Sequence, residues 1–591
     1  MEQKTTPIPA FSPNPTISKK QIAWIGTVVL VAIHLFFLMW AGPKYQNSDD
    51  SIYSRIAHEI VDGRYKYDPM GNPGFQNRYG VTVPTALGYK LFGINRYSLV
   101  LWSWLCSILT LTLLFNFVLK RYGLPAGFIS GLIFATNTKQ IGTALMLSVD
   151  VILSFFMFLS AVILYEARQP EARGRERFFA IAFVATLMMA TLSKLLVISI
   201  FPAFAILMAV DLKNQKHKTL WINIVAIGLL FGGAYLIWMH IYTGSYMSRF
   251  AGTLNVFQSL DSMQIKNYNE MMNNLPARLT YKPILVILSI PGLLIPFALA
   301  LAALFQTGTK DLDHKQPVAG QGVSNLKNTG YWWLLIFSAM FYIWFIPGSF
   351  NPFIPIILIP RYFLPLIPFL ALLAGVALAS IYSSNLWAAK SRQYFWWLGF
   401  IYLVLFPLLN TLGYFKLGVV IVTAPVLFAL VWDRATFISR PISSLRTPLI
   451  TVLSILVFSL LPAHFIINNV IGEKPWQKVE RESIQRYFVE DKEPKVVYSN
   501  KRGLISINFF RGYEKSKDVQ LVNWQAVKDK KYAAGTKHYI YINKNVVEGL
   551  KITYSRKPPT FVYNPPANWQ LVVEEQGVAI YKSDDIPEFV F

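Results

Sequence analysis

Cysteine is all but missing from this chain of 591 residues: Cys106 stands alone, inside an apolar run. An intramolecular disulfide is excluded, and so is a zinc site built on cysteines. Charge is scarce too, at 15% of residues against about 25% in ordinary soluble domains. The shortage falls on one sign, with 31 Asp and Glu against 55 Lys and Arg and a formal net charge of +24. Such a balance would suit nucleic acid, but the cations are spread over short loops and the C-terminal stretch, with no recognition motif among them. Loop bias that orients membrane spans accounts for them more simply, and no nucleic-acid partner is expected.

What is plentiful is apolar surface. Hydrophobic residues make up 54% of the chain and aromatics 15%, and the mean hydropathy is +0.40. Apolar runs long enough to cross a bilayer as helices recur at 22–40, 97–119, 124–140, 147–165, 178–192, 195–210, 219–241, 282–304, 331–347, 356–380, 394–411, 416–432 and 448–467. The expected fold is therefore a polytopic α-helical membrane protein of about 13 transmembrane helices. The first run exceeds the core of a signal peptide and many spans follow it, so it reads as an uncleaved helix. Past Ile467 the texture changes: KVVYSN, HYIYIN and WQLVVEEQGVAIYKS alternate as strands of a small soluble α/β domain do. The expected layout is a tail at 1–21, a transmembrane unit at 22–468 with an outer loop at 41–96, and a C-terminal domain at 469–591.

Placing Lys19 and Lys20 in the cytoplasm puts the basic loops at Lys120, Glu166, Asp211, Lys310 to Lys327, Lys390 and Asp433 inside as well. The 41–96 segment, the Tyr242 to Tyr281 loop with Arg249 and Arg278, and the C-terminal domain then emerge outside. The expected location is a plasma (inner) membrane, crossed many times, with the site and the C-terminal domain extracytoplasmic.

Five separate segments bring charge to that outer face. Asp49 and Asp50 open the stretch NSDDSIYSRIAHEIVDGRY, Arg78 lies in NRYGVTVPTALGYKLFG, Asp150 in LSVDVILSFF, Lys194 in ATLSKLLVIS and Arg361 in IPRYFLPLIPFL. Ionised groups near a membrane are costly and mark functional sites by default. Each also has a plainer account. Lys194 can snorkel to the interface, Asp150 suits a helix N-terminus, Arg361 can pair with an aspartate, and Arg78 can be a surface arginine. Ile52, Ile56 and Ile60 recur every four residues, which predicts a helix lying in the interface with its apolar face in the lipid. One aspartate suffices to cap that helix, so the second needs a partner or a task. His58 and Glu59 form no metal motif and read as a solvated face.

These pieces resemble the glycosyltransferase C superfamily, in particular the family 39 and 83 transferases related to protein O-mannosyltransferases and lipid A aminoarabinose transferases. SDDSIYSRIAHEIVDGRYKYD, NRYGVTVPTALGYKLFG, LSVDVILSFFMFLSAVILYEA, TLSKLLVISIFP and PRYFLPLIPFLALLAG carry the likeness, through their order and common side rather than singly. The resemblance implies transfer of a sugar from a polyprenyl-phosphate carrier to a lipid, glycan or protein acceptor on the outer face, with inversion. Asp50, with Asp49 as second choice, would act as the base. Arg361, Lys194 and Arg78 would hold the departing phosphate, and Asp150 would complete an acidic group. Relatives differ in metal use, which leaves a divalent cation open. A flippase of lipid-linked sugars would favour internal repeats and broken helices, of which the sequence has no convincing case. A polysaccharide ligase or polymerase shares the donor but does not account for the early acidic pair.

Overall fold

The computed structural model describes residues 18–46, 48–68, 73–249, 296–297, 300–301, 329–345, 347–350, 353–355, 360–383, 474–514, 518–526, 536–548, 559–583, 585–587 and 589. Seven helices among the described residues are long and apolar enough to cross a membrane, and two shorter ones are equally apolar. The chain is a polytopic α-helical membrane protein with a small C-terminal sheet domain. The spans expected at 394–411, 416–432 and 448–467, and most of 282–304, lie outside the described residues.

The first span is α1 (Lys19–Ala41), started by a capping box in which Ser18 and Gln21 satisfy each other's backbone N–H groups. A short outer segment then folds as α2 (Asp49–Val61), α3 (Pro73–Gln76) and α4 (Tyr79–Phe92). The helices α5 (Arg96–Tyr122), α6 (Leu124–Ala135), α7 (Thr138–Ala144), α8 (Val149–Ala167), α9 (Glu176–Ser193), α10 (Phe201–Lys213) and α11 (Lys218–Thr243) follow. Later come α12 (Thr329–Phe345), a hairpin of β1 (Pro347–Phe350) and β2 (Phe353–Pro355), and a 3-10 turn at Pro360–Leu366 leading into α13 (Ile367–Ser383). Among the described spans α13 is the most enclosed, packed on α6 so closely that a Cβ at Gly375 would meet the Ser130 backbone nitrogen at 2.7 Å. Small residues at such crossings are what lets helices associate in lipid, where no hydrophobic force drives them together.

Two local readings change. The run at 124–140 is not one helix: it breaks at Thr136, and Asn137 caps α7 by accepting from the Gln140 N–H at 3.0 Å. Finally, α2 does not float in the interface, because Tyr53, Ile56 and Ala57 are buried in protein, against α4 on one side and the C-terminal domain on the other. The isoleucine spacing identified an apolar face correctly and misassigned what covers it.

The C-terminal domain starts with α14 (Pro475–Ile484). It then runs through β3 (Lys495–Ser499), α15 (Lys501–Phe510), β4 (Val519–Asn523), β5 (Lys537–Asn543), β6 (Gln570–Glu575) and β7 (Val578–Ser583). The strand order is β4-β3-β5-β7-β6, with β3 parallel to β4 and β5 and the rest antiparallel. The α15 helix is the crossover that a parallel β3–β4 pair requires. KVVYS, KHYIYIN and VAIYKS are the interior strands, which explains their nearly unbroken apolar character.

At the end of the bundle away from this domain, Arg121 and Lys120 bind Glu166, and Arg168 grips Asp211 with two hydrogen bonds of 2.7 and 2.8 Å. Loops expected on one side of the membrane thus meet each other. The candidate site residues gather at the opposite end.

Candidate active site

Asp49 and Asp50 are consecutive in the first turn of α2 and therefore project about 100° apart. Their surroundings differ accordingly. Asp50 is 1% exposed and turned inward, where its carboxylate accepts from the Gln46 N–H at 2.7 Å, the Ser48 N–H at 2.8 Å and the Ser48 hydroxyl at 3.2 Å. Burial pushes its pKa up, with the two backbone donors pulling back. Asp50 thus closes the turn that starts the helix. Asp49 faces the other way, partly exposed, and accepts from the Arg361 guanidinium at 2.8 Å.

Arg361 stands in the 3-10 turn before α13, 312 residues from Asp49 in sequence. Next to it, the Tyr362 ring lies 4.6 Å from Lys194 Nζ. Lys194 occupies the extended break between α9 and the 3-10 turn at Leu195–Ile200, so its side chain leaves the helix axis and donates to Asp150 at 2.5 Å. Asp150 opens α8 and is almost fully buried. The snorkelling expected for Lys194 is absent; the ammonium is paired inside the protein.

Arg78 caps the N-terminus of α4 and donates to the Tyr53 hydroxyl, with its guanidinium 5.2 Å from the Phe75 ring and 5.6 Å from Tyr53. It is held near Lys194 by Gly80: a Cβ there would meet Ser193 Oγ at 2.5 Å and its backbone nitrogen at 3.0 Å. Only a glycine lets α4 approach the end of α9 this closely. Arg249 adds a strut, donating to the Asn77 and Thr191 carbonyls beside those two cations. Of the 242–281 loop, residues past Arg249, Arg278 included, lie outside the described residues.

All the expected residues except Asp50 face one another. Arg361 feels both Asp49 and Asp150, and Lys194 feels Asp150, Arg78 and Arg361. Lys139 of α7 lies within reach of Asp150 and Arg361 as a further cation. Sequence reading missed it by running span 124–140 through the break; the signal was Asn137 followed three residues later by Gln140, an N-cap signature. Tyr362 and Tyr53 were missed as well, although Tyr53 is the tyrosine of the acidic motif. Among the described residues no group of three or more His, Cys, Asp or Glu side chains is arranged to hold a metal ion. His58 is not solvated: its ring stacks on Tyr513 at 4.6 Å.

The fold has known counterparts. The crystal structure of ArnT from Cupriavidus metallidurans bound to undecaprenyl phosphate superimposes with a TM-score of 0.59 at 14% identity, covering 97% of this chain and 100% of that one. The apo state of the same protein gives 0.56 at 14% identity, covering 95% and 97%. Residues 83–238 match the family described as dolichyl-phosphate-mannose-protein mannosyltransferase. The chain shares the fold of these ArnT structures. Comparison with curated protein sequences gives no match. Within that fold, the stretch that matches the family runs from α4 through most of α11 and contains Asp150 and Lys194.

Proposed function

We propose that the protein transfers a sugar from a polyprenyl-phosphate donor to a lipid, glycan or protein acceptor at the outer face of a plasma (inner) membrane, with inversion. The observation that carries this reading is the charge balance of the site. Four cations, Arg78, Lys139, Lys194 and Arg361, surround two carboxylates, Asp49 and Asp150, at one end of the bundle. The surplus of positive charge suits a phosphate, and a site at a membrane edge suits a phosphate on a lipid. The ArnT structure that shares this fold carries such a phosphate.

Asp49 is the better placed of the two adjacent carboxylates to act as base. Its oxygens are partly exposed and engaged with a cation that phosphate would compete for, whereas those of Asp50 are tied to the backbone. Donor phosphate taking over Arg361 would leave Asp49 free to accept the proton of an acceptor hydroxyl. The acceptor oxygen would then attack the anomeric carbon while the bond to the phosphate oxygen breaks, the electron pair leaving with the phosphate. Arg361, Lys194 and Arg78 would stabilise the charge that develops there.

The test is reconstitution of the full chain in bilayers with a labelled polyprenyl-phosphate sugar and an extract of candidate acceptors. Release of polyprenyl phosphate with label on an acceptor is expected. Movement of intact labelled lipid across the bilayer with no release would overturn the reading in favour of a flippase.

A further inference from the structure

A second cationic recess lies where the C-terminal domain meets the start of a membrane span. Its volume is about 510 Å³, and its walls include Ile94 and Arg96 on the membrane side and Arg481, Arg486, Phe509 and Phe510 on the domain side. None of these residues is one of the charged groups of the site described above, although Phe509 also stacks on Tyr45.

Its position fixes its surroundings. Arg96 is the first residue of the α5 span, and the neighbouring Leu91, Phe92 and Tyr97 are all exposed at the end of α4 and the start of α5. Exposed apolar side chains flanking the top of a span mark where the bilayer surface passes, so the mouth of the recess opens at headgroup depth. Arg481 and Arg486 project from α14 and its one-turn extension at Gln485–Glu490 on the opposite wall. Glu482 and Glu490 also line the recess, so the three guanidinium groups leave a single surplus positive charge.

We propose that this recess binds the phosphate-bearing headgroup of an anionic phospholipid, from the leaflet on which the C-terminal domain rests. Guanidinium forks match phosphate oxygens in geometry as well as charge. The phenyl ring of Phe510, with Ile94, supplies an apolar lining for the glycerol and the first methylenes of the chains. The bound lipid fastens the domain to the spans. The inference holds whatever donor or acceptor the other site takes.

The experiment uses the full chain in detergent, titrated with phosphatidylglycerol, with phosphatidylcholine and with inorganic phosphate, and reads the thermal unfolding temperature. Phosphatidylglycerol is expected to raise it saturably, and the other two are not. In Arg481→Gln/Arg486→Gln the apparent affinity for phosphatidylglycerol should weaken by roughly tenfold or more. Glu482→Gln/Glu490→Gln should instead strengthen it, which keeps the proposal testable should the arginine variant fold poorly. An equal shift from phosphatidylcholine, an equal shift from inorganic phosphate, or an affinity for phosphatidylglycerol that neither variant changes in the stated direction would overturn it.

Discussion

The ring of Phe509 lies flat on that of Tyr45, with centroids 4.2 Å apart and planes within 2° of parallel. Tyr45 directly precedes the turn that Asp50 closes, so a side chain of the C-terminal domain braces the entry to the acidic helix. Further along α2 the same domain makes a second contact: Tyr513 stacks on His58 and hydrogen-bonds Ser54 at 3.0 Å. Ser54 in turn reaches Tyr89 of α4 at 2.6 Å.

If this brace positions Asp49, Phe509→Ala should lower kcat between about ten- and hundredfold with little change in donor KM, as small displacements of a reacting group do. Phe509→Tyr, which keeps the stack, should restore turnover. A kcat unchanged in Phe509→Ala would show that this stack does not hold Asp49 in place.

Asp49→Asn should cost about 10² to 10⁴ in turnover, the usual yield of a general base, and leave the folded protein intact because the side chain is partly exposed. Steady-state transfer rates with melting curves on the same preparation check both halves. Full activity in the variant removes Asp49 from the base role.

Asp50 should report through stability and its dependence on pH. Burial raises its folded pKa above the unfolded value of about 3.9, so the folded state holds the proton more tightly. That contribution is fully present below the unfolded pKa and is lost as pH rises through the folded one. Asp50→Asn carries no such proton, so wild type should lose melting temperature relative to the variant as pH increases from about 4 toward neutrality. A gap constant across that range would show an Asp50 ionised throughout.

Arg361→Ala should weaken binding of polyprenyl phosphate by about 10- to 100-fold, from loss of charge-assisted hydrogen bonds worth roughly 1.5–3 kcal/mol. Arg361→Lys should recover part of this, because the charge stays and the fork goes. Titration of the carrier lipid against both variants measures it.

Lys194 and Asp150 form a buried pair, so removing one partner strands the other. Lys194→Met should destabilise by about 3–5 kcal/mol, and Asp150→Asn/Lys194→Met should recover folding as read by size exclusion and melting. Transfer should stay lost in the double variant; its return together with the fold would limit the pair to a structural role.

Much of this architecture was readable in the sequence because lipid demands long apolar helices and interior strands demand apolar runs. Lys194, Asp150, Arg361, Arg78, Asp49 and Asp50 were singled out by the same reasoning, since a charge near lipid stands out, with Asp50 rather than Asp49 expected as the base. What composition does not carry is direction. Asp49 and Asp50 are identical in type and adjacent, and only the helix geometry separates a carboxylate facing cations from one facing its own backbone. The tertiary cover on α2 was likewise hidden, because an apolar stripe looks the same against lipid as against Phe509 and Tyr513. Lys139 was concealed by a two-residue break within an apolar run.

The contact between Ser54 and Tyr513 spans 459 residues of chain. At ribosomal speeds of about 5–20 residues per second, that separation corresponds to roughly 20 to 90 s of synthesis. For that interval the acidic helix has entered the growing protein without the domain that braces it. The helix can take its final environment only after the last part of the chain has folded, which sets the order of assembly: spans first, acidic helix last.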